Sequence, residues 1–506
     1  MKIMRYMFST LALLLVAFAG IMPLSAHELE TPDTIVSLSL NPESDITEIR
    51  RELKRLDVFV LEFTTQRAEF PTCDYMDHPE GCNGTSIINA DYVQGRLVIT
   101  KGGVPFYDSG EYEAKTSGVR VKLRGNSSSA DGVMKKSYKV KLSKKADLLL
   151  RDNSKLKDKD WILLGLGGKK LNYVAGAEVA RACGMPWEPE GRHVAVIMND
   201  RYLGCYYLVE AVGAGSHRVN IDDSGYIVEN DAYWWKPGEV YFKSNHQLYE
   251  MGWTFKEPDT DDFHEMSLDN VKWAINTVEQ RLYEGKDVVD MIDYDSFAAW
   301  LLAHDIMATK DGYGSNIFLQ KKDFDPYAPF SSKFQMGPLW DFDACLEEND
   351  DKHAVISILP GFWIHKLWHD PYFKGIYTEL WLKVRDKIAD QVLDKTEKYI
   401  KENPDIYKLR VMDQMLGVDI QTPLTHPVND HNDLVKWFET RYGQLNMLLT
   451  GTPNGVEDIE ETDKDPVMGE GGGKRYYNVD GTQADKSSRG IIISVGSDGE
   501  SVKYLK

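Results

Sequence analysis

Residues 193–210 read HVAVIMNDRYLGCYYLVE, which is two apolar stretches around the polar turn Asn199-Asp200-Arg201. Both stretches are rich in Val, Ile and Tyr, residue types that favour strands, and Asn and Asp are typical of tight turns. The segment therefore predicts two consecutive strands joined by a turn.

The chain upstream of these strands also predicts β structure. Four stretches with alternating or β-branched residues are separated by Gly, Asn and Asp. They are DVFVLEF (57–63), GRLVIT (95–100), GVRVKLRG (118–125) and KSYKVKLS (136–143). Residues 161–184 then change to helical spacing, and we expect a helix from about Leu171 to a C-cap at Gly184. We interpret residues 57–215 as one strand-rich lobe.

The chain downstream is predicted to be mainly helical. Residues 216–265, which include YWWKPGEVYF, are rich in loops and aromatic residues and are interpreted as an insertion. Residues 266–450 contain helical patterns and only two short strands, NIFLQ and SKFQMGPLW. The predicted fold class is therefore α+β and bilobal, with a β-rich N-lobe and a mainly helical C-lobe.

The two ends of the chain differ from this body. Residues 1–26 have basic residues, an apolar run and a small-residue cleavage sequence, which predicts a signal peptide, with a membrane anchor as the alternative. Residues 27–56 are interpreted as an N-terminal extension. An acidic, Gly-rich linker at 451–475 leads to a tail at 476–506 with three short predicted strands. We expect export to the periplasm, the cell surface or the medium.

Composition limits the function. The chain has 506 residues, of which 42% are hydrophobic, and a net charge of −20. So negative a chain is unsuited to general nucleic-acid binding, because phosphates would be repelled. Of five cysteines, Cys73 and Cys82 flank a polar loop and are the expected disulfide of an exported chain, while the other three have apolar neighbours and are expected to be core thiols.

Polar residues with catalytic spacing lie between 304 and 343. Asp311 precedes Asn316 by five residues, and Asp341 and Asp343 follow in Trp340-Asp-Phe-Asp. Phosphoryl-transfer enzymes place one Asp at the acceptor hydroxyl and use an Asn and a later Asp as Mg²⁺ ligands. Asp311 also fits a plain Asp-Gly turn. We prefer Asp341 to Asp343 as the main ligand, because it directly follows an apolar strand end.

A second group of polar residues follows the strand at 118–125. Arg124-Gly125-Asn126-Ser127 combines a guanidinium, a Gly and small polar side chains, which can bind phosphate or simply form a hairpin turn. Lys139 and Lys141 lie two residues apart in the next strand and so share a face, which fits either a phosphate-binding lysine or an exposed basic edge.

Two glutamates complete the candidate set. Glu178 lies among small apolar residues of the predicted helix, so its carboxylate faces either solvent or a cation such as Lys141. Glu210 ends the apolar run YYLVE. In the plan of protein kinases a strand that runs into the hinge presents its main chain to adenine, and Glu210 is interpreted as marking such a hinge.

These stretches resemble the CotH spore-coat kinase family, whose fold is an atypical protein-kinase-like one. The resemblance covers roughly residues 110–450, in the family's order. Its stretches are VKLRGNSS (121–128), KKSYKVKL (135–142), GAEVARACGM (176–185), YLGCYYLVEAV (202–212), GYIVEN (225–230), DGYGSNIFL (311–319) and GPLWDFD (337–343). The tail is similar to C-terminal strand modules of exported Bacteroidetes proteins, some of which are secretion-sorting domains.

The resemblance implies an enzyme that uses ATP and Mg²⁺. Asp311, Lys141 and Glu178 would be catalytic, Arg124, Asn126, Ser127, Lys139 and Glu210 would bind the nucleotide, and Asn316, Asp341 and Asp343 would bind the metal. The substrate would be a protein Ser or Thr hydroxyl, and the tail would contact secretion or cell-surface machinery. Two alternatives remain open: an exported binding protein with no turnover, and transfer of a nucleotidyl (AMP) group. Ser129-Ala130-Asp131 departs from the family pattern, which often has a Trp in this loop.

Overall fold

The computed structural model describes residues 24–32, 36–165, 171–247, 250–258, 263, 265–309, 315–346 and 362–450, with three tail strands. Residues 1–23 of the predicted signal peptide, most of the predicted linker and the predicted catalytic Asp311 lie outside the described residues. Among the residues described, none of the helices is both long enough and apolar enough to cross a bilayer.

Ten strands form in the first 210 residues. They are β1 (Phe59–Thr65), β2 (Asp74–Asp77), β3 (Thr85–Ile88), β4 (Val93–Lys101), β5 (Val104–Asp108), β6 (Val119–Arg124), β7 (Ser137–Ala146), β8 (Asp158–Leu164), β9 (Gly191–Met198) and β10 (Arg201–Glu210). The predicted pair at 193–210 is β9 and β10, which are antiparallel neighbours.

Seven of these strands close into a barrel in the order β1-β9-β10-β8-β7-β6-β4, and β4 pairs with β1 to complete the circle. The sheet is mixed, because β1 runs parallel to β9 while its other barrel neighbour, β4, is antiparallel to it. At the closure, a Cβ on Gly95 would lie 2.3 Å from the Thr64 carbonyl oxygen, so only glycine permits this approach.

The second part of the chain contains a sheet of its own. The remaining helices and strands of the body are α1 (Ile46–Arg55), α2 (Asn172–Cys183), β11 (Tyr226–Asp231), β12 (Tyr241–Phe242), β13 (Gly252–Glu257), α3 (Glu265–Tyr283), α4 (Tyr294–Met307), β14 (Ile317–Lys321), β15 (Phe334–Met336), α5 (Ile364–Leu367), α6 (Pro371–Glu402), α7 (Ile406–Met415) and α8 (Pro427–Thr450). Strands β11 to β15 pair antiparallel in the order β12-β13-β11-β14-β15. The predicted insertion at 216–265 supplies β11 to β13 of this sheet.

The predicted fold class, a bilobal kinase-like fold with a mainly helical C-lobe, is therefore wrong. The chain instead has a closed seven-stranded mixed barrel and a second, five-stranded sheet, with eight α-helices among the described residues. Alternation along the sequence identifies strands, but pairing between β1 and β4, and between β1 and β9, depends on contacts between distant segments. Periodicity alone could not distinguish a closed barrel from an open sheet.

Helices cover the barrel on two sides. The inside of the barrel is apolar, for example at Leu61, Val140 and Trp161, and forms its own core. Helix α2 packs on the outer face of β8 and β10, in the same core as the second sheet and helices α3 to α6. Helices α1 and α7 pack on the outer face of β1 and β9. Helix α2 therefore lies between the barrel and the second half of the chain.

The predicted Cys73–Cys82 disulfide is not formed, and both residues are free thiols. Cys73 precedes β2, whereas Cys82 lies in the turn after it, so a four-residue strand about 13 Å long separates them. A disulfide needs Cα atoms within about 7 Å of each other. Cys183, Cys205 and Cys345 are buried free thiols, as predicted.

The tail contains three short antiparallel strands, as the sequence predicts. They are β16 (Arg475–Asn478), β17 (Ile491–Val495) and β18 (Ser501–Leu505).

Candidate functional site

Two of the predicted metal ligands are adjacent. Strands β14 and β15 are neighbours in the second sheet. Asn316 directly precedes β14, and Asp341 follows the short segment 337–340 that leaves β15. Asn316 Nδ2 is 3.4 Å from Asp341 Oδ2. Both residues have positive φ, of 65° and 64°, a backbone conformation that is uncommon outside glycine and that Asn and Asp adopt more readily than other residues. The second sheet thus brings together two residues that are 25 positions apart.

Tyr173, at the start of α2, joins the two aspartates. Its hydroxyl is 3.3 Å from Asp341 Oδ1 and also hydrogen-bonds Asp343. Burial raises the pKa of this hydroxyl well above its usual value, and the charges of Asp341 and Asp343 raise it further, whereas Arg124 lowers it. The hydroxyl is therefore protonated at neutral pH and donates to the carboxylates.

Helix α2 holds the Asp341–Asp343 segment by two further contacts. Asn172 Nδ2 donates to the carbonyl oxygen of Phe342 at 3.1 Å. Gly176 faces the Phe342 ring, and a Cβ there would lie 2.4 Å from a ring carbon. The backbone of α2 can approach the ring only because residue 176 is glycine.

The buried carboxyl group of Glu188 holds the backbone just before Asp341. Glu188, 1% exposed, accepts the backbone N–H of Leu339 with both carboxyl oxygens at 3.1 Å. Burial raises the pKa of Glu188 well above its usual value, while the Leu339 N–H and Arg181 lower it. Glu188 therefore anchors the backbone two residues before Asp341.

Arg124 of the barrel lies beside the segment that carries Asp341, and the turn that follows Arg124 has polar contacts of its own. Arg124, the last residue of β6, lies with its guanidinium carbon 5.8 Å from the Trp340 ring centroid. Asn126 Oδ1 accepts from Ser86 Oγ at 2.7 Å and from Lys236 Nζ at 3.2 Å. Ser127 begins a 3₁₀ turn, Ser127–Ser129, and Gly125 has a φ of 107°. Arg124 thus lies next to the segment that carries Asp341, and Asn126 in the following turn contacts Lys236.

The two strand lysines lie further along the same face. Lys139 and Lys141 share the outer face of β7 with Ser137, which pairs with Arg124. Lys141 is four residues from Ser137, or about 13 Å along the strand. Lys139 Nζ is 3.6 Å from Asp160 Oδ1. Of the two, Lys139 is therefore nearer to Arg124.

Two other predicted residues, Glu178 and Glu210, have different surroundings. Glu178 contacts Arg181 at 3.1 Å and Gln391 of α6 at 2.7 Å, so its carboxylate faces α6. Glu210 is buried, accepts from Arg151 Nη2 at 2.7 Å and accepts the backbone N–H of Glu190 at 3.0 Å. Asp311 lies outside the described residues, and so does any contact it makes.

Sequence reasoning did not identify Tyr173, Gly176, Glu188 or Lys236, nor the pair Glu229 and Lys256. Glu229 on β11 accepts the backbone N–H of Asn316 at 3.1 Å and pairs with Lys256 Nζ at 2.6 Å. Neither glutamate falls in a spacing pattern that suggests such a role. The usable signal was Lys236 itself, a cation inside an otherwise aromatic turn that also contains Pro237-Gly238.

The donor set at Asp341 fits Mg²⁺ by its chemistry. Two carboxylates and one carboxamide are hard oxygen ligands, and Mg²⁺ keeps several waters when few protein ligands are present. The Asn316 carboxamide, whose nitrogen now faces Asp341, would present its oxygen there after a half-turn. Among the described residues, three His, Cys, Asp or Glu ligand atoms lie within 4.8 Å of one another only at His27, Asp394 and Glu397, in the contact between the N-terminal segment and α6.

The fold and the site together define a protein in which an acidic group that suits a metal ion lies near the cationic Arg124. A metal ion and a cation are the two features that bind a phosphate ester. A model of the family described as CotH kinase protein matches residues 121–409, more than half of the chain. The protein belongs to the CotH kinase family, as its sequence motifs indicated. A search of curated proteins finds no match to the chain.

Proposed function

We propose that the protein transfers the γ-phosphoryl group of ATP to a Ser or Thr hydroxyl of a protein substrate, with Mg²⁺. The observation that carries this proposal is the convergence of Asp341 and Asn316 with Arg124. Membership of the CotH kinase family supports kinase-like chemistry in general. Phosphoryl transfer needs mainly positioning and neutralisation of charge, and these residue types supply both.

In this proposal each residue has a separate task. Asp341 and Asn316, with Asp343, would hold Mg²⁺, which when bound would neutralise charge on the phosphates. Arg124 would contact phosphate oxygens, for which a guanidinium is well shaped. Tyr173 orients Asp341 and Asp343 by donating to them, and Asp311 would accept the proton of the substrate hydroxyl.

We also propose that the chain acts outside the cytoplasm, on the basis of its signal-peptide-like N-terminus. Its protein substrate would be an exported protein, and the tail would provide contact with secretion or cell-surface machinery. ATP would then have to be supplied in that compartment.

Calorimetry with ATP and Mg²⁺ tests the proposal. The wild type and Asp433→Ala, a change at an exposed carboxylate in α8, should bind equally. Asp341→Ala should lose binding, and unchanged heats for this variant would contradict the nucleotide site.

Radiolabelled ATP then identifies the reaction. The γ-label, and not the α-label, should appear on Ser or Thr of envelope proteins. Transfer of the α-label would instead indicate nucleotidyl transfer. Binding without either transfer would indicate a binding protein.

A further inference from the structure

Lys236 extends from the second sheet toward the barrel. It lies in the turn between β11 and β12, which is held firmly at its base. Trp234 Nε1 donates to the Glu250 carbonyl oxygen at 3.1 Å, and the Tyr233 N–H donates to Asp231 Oδ1 at 2.8 Å. The turn is therefore a fixed support for the lysine.

The ammonium group of Lys236 contacts Asn126, in the turn predicted to bind phosphate. Its Nζ is 3.2 Å from Asn126 Oδ1, which already accepts from Ser86. The side chain thus crosses from one half of the molecule to the other and meets the turn that follows Arg124. One neutral amide oxygen, itself shared, is its hydrogen-bond acceptor.

Among the described residues, neither Lys236 nor Arg124 forms an ion pair. Within the part of the chain that the structure describes, no carboxylate oxygen lies within 4 Å of either charged group, whereas Lys256 on neighbouring β13 has Glu229 at 2.6 Å. Burial lowers the pKa of Lys236, although Glu239 and Asp231 oppose this, while for Lys256 the nearby carboxylates overcome burial and the pKa is raised. A largely buried cation that forms no ion pair is costly unless a ligand supplies the negative charge.

We propose that Lys236, together with Arg124 and Asn126, forms an anion subsite that binds the polyphosphate of a nucleoside triphosphate. The inference rests on the proposed function for the identity of its ligand, but not for the existence of the subsite. It assigns the main phosphate-binding lysine to the turn at 236 rather than to Lys141, which lies about 13 Å along β7 from the partner of Arg124.

Inorganic tripolyphosphate without metal is the direct probe, because it tests the subsite without phosphoryl transfer and without Asp341. Titration calorimetry should show a dissociation constant at least ten-fold higher for Lys236→Met than for the wild type. Lys236→Arg, which keeps the charge, should have a dissociation constant within about three-fold of the wild type. Lys141→Met should lose less affinity than Lys236→Met. The control Lys286→Met removes an exposed lysine that pairs with Glu284 and should bind like the wild type.

Thermal unfolding separates a lost subsite from a lost fold. Without anion, Lys236→Met should melt at or above the wild-type temperature, since it removes a buried charge that forms no ion pair. Tripolyphosphate should raise the melting temperature of the wild type but not that of Lys236→Met. If Lys236→Met unfolds, Lys236→Gln, which can still donate to Asn126, is used in its place with the same expectation.

The outcomes distinguish the two proposals. Equal tripolyphosphate binding by the wild type and Lys236→Met, no binding by the wild type, or a larger loss in Lys141→Met would overturn the subsite. Binding that depends on Lys236, without any transfer of label from ATP, would uphold the subsite and contradict only the proposed phosphoryl transfer.

Discussion

Asn316 and Asp341 face each other at 3.4 Å, and both have left-handed backbone conformations. Such conformations cost free energy for residues with a Cβ and persist where surrounding contacts enforce them. Here Glu229 accepts the backbone N–H of Asn316, and Tyr173 donates to Asp341. The contacts hold two polar side chains in one small region, as a ligand site requires.

Removal of the Tyr173 hydroxyl should weaken this site without unfolding the protein. Tyr173→Phe leaves Asp341 and Asp343 without their shared donor, and we expect about ten-fold weaker Mg-ATP binding by calorimetry, equivalent to about 1.4 kcal/mol. Tyr442→Phe is the matched control, because its hydroxyl is also 3.3 Å from a carboxylate, that of Asp386. Equal affinities for Tyr173→Phe and the control would contradict a positioning role.

Two helical glycines should respond in opposite ways to alanine. Gly176→Ala places a Cβ 2.4 Å from the Phe342 ring and should lower the free energy of unfolding by about 1–3 kcal/mol. Gly375→Ala in α6 meets nothing within 4 Å and should raise it by about 0.5–1 kcal/mol. Urea denaturation measures both. A neutral Gly176→Ala would show that α2 is not pressed against the Asp341 segment.

The buried Glu188 should tolerate an amide but not truncation. Glu188→Gln keeps an acceptor for the Leu339 N–H. Glutamine is also neutral, like the protonated form that burial favours by raising the pKa of Glu188. Glu188→Ala leaves that N–H without its partner and creates a cavity, at a cost of about 2–4 kcal/mol. In thermal and urea unfolding, the wild type and Glu188→Gln should have similar stability, and both should be well above Glu188→Ala. A Gln variant as unstable as Ala, with both well below the wild type, would mean that Glu188 is ionised and paired.

Asp231 should make stability depend on pH. Burial, with the charge of Glu229 adding to it, raises the pKa of this carboxyl to about 6 from an ordinary 3.8. Between pH 4 and pH 6 the folded state holds a proton that the unfolded state has released. The contribution of Asp231 therefore falls as pH rises through this window, by up to about 3 kcal/mol, and is constant above it.

Asp231→Asn should remove that dependence, since an amide can still accept from Tyr233 N–H and donate to Thr254. We expect the variant to gain stability relative to the wild type on going from pH 4.5 to pH 7, as measured by urea unfolding. A stability difference that is the same at both pH values would show that Asp231 titrates normally.

Local patterns predicted local structure well. The helix expected from about Leu171 to Gly184 is α2, Asn172–Cys183, and its C-cap is Gly184 with a φ of 106°. Spacing also selected Asn316 and Asp341, which the fold makes neighbours, and residue types in the turn after β6 selected Arg124, which lies beside Trp340. Glu178 was selected because it is a carboxylate among apolar residues, but its position on the helix turns it toward α6, whereas Tyr173 and Gly176 of the same helix face the Asp341 segment.

Sequence patterns were enough to identify helix α2, strands such as β9 and β10, the CotH kinase family and the order of the polar motifs, because all of these depend on residues close together in the chain. They missed β2, β3, β5, β8 and β11 to β13. The folded structure was needed to show that β4 pairs with β1 to close a barrel, that 216–265 supplies strands to a second sheet, and that Lys236 contacts Asn126, 110 positions away in the chain. Such contacts depend on the packing of whole elements, and no periodicity or spacing in the chain encodes them.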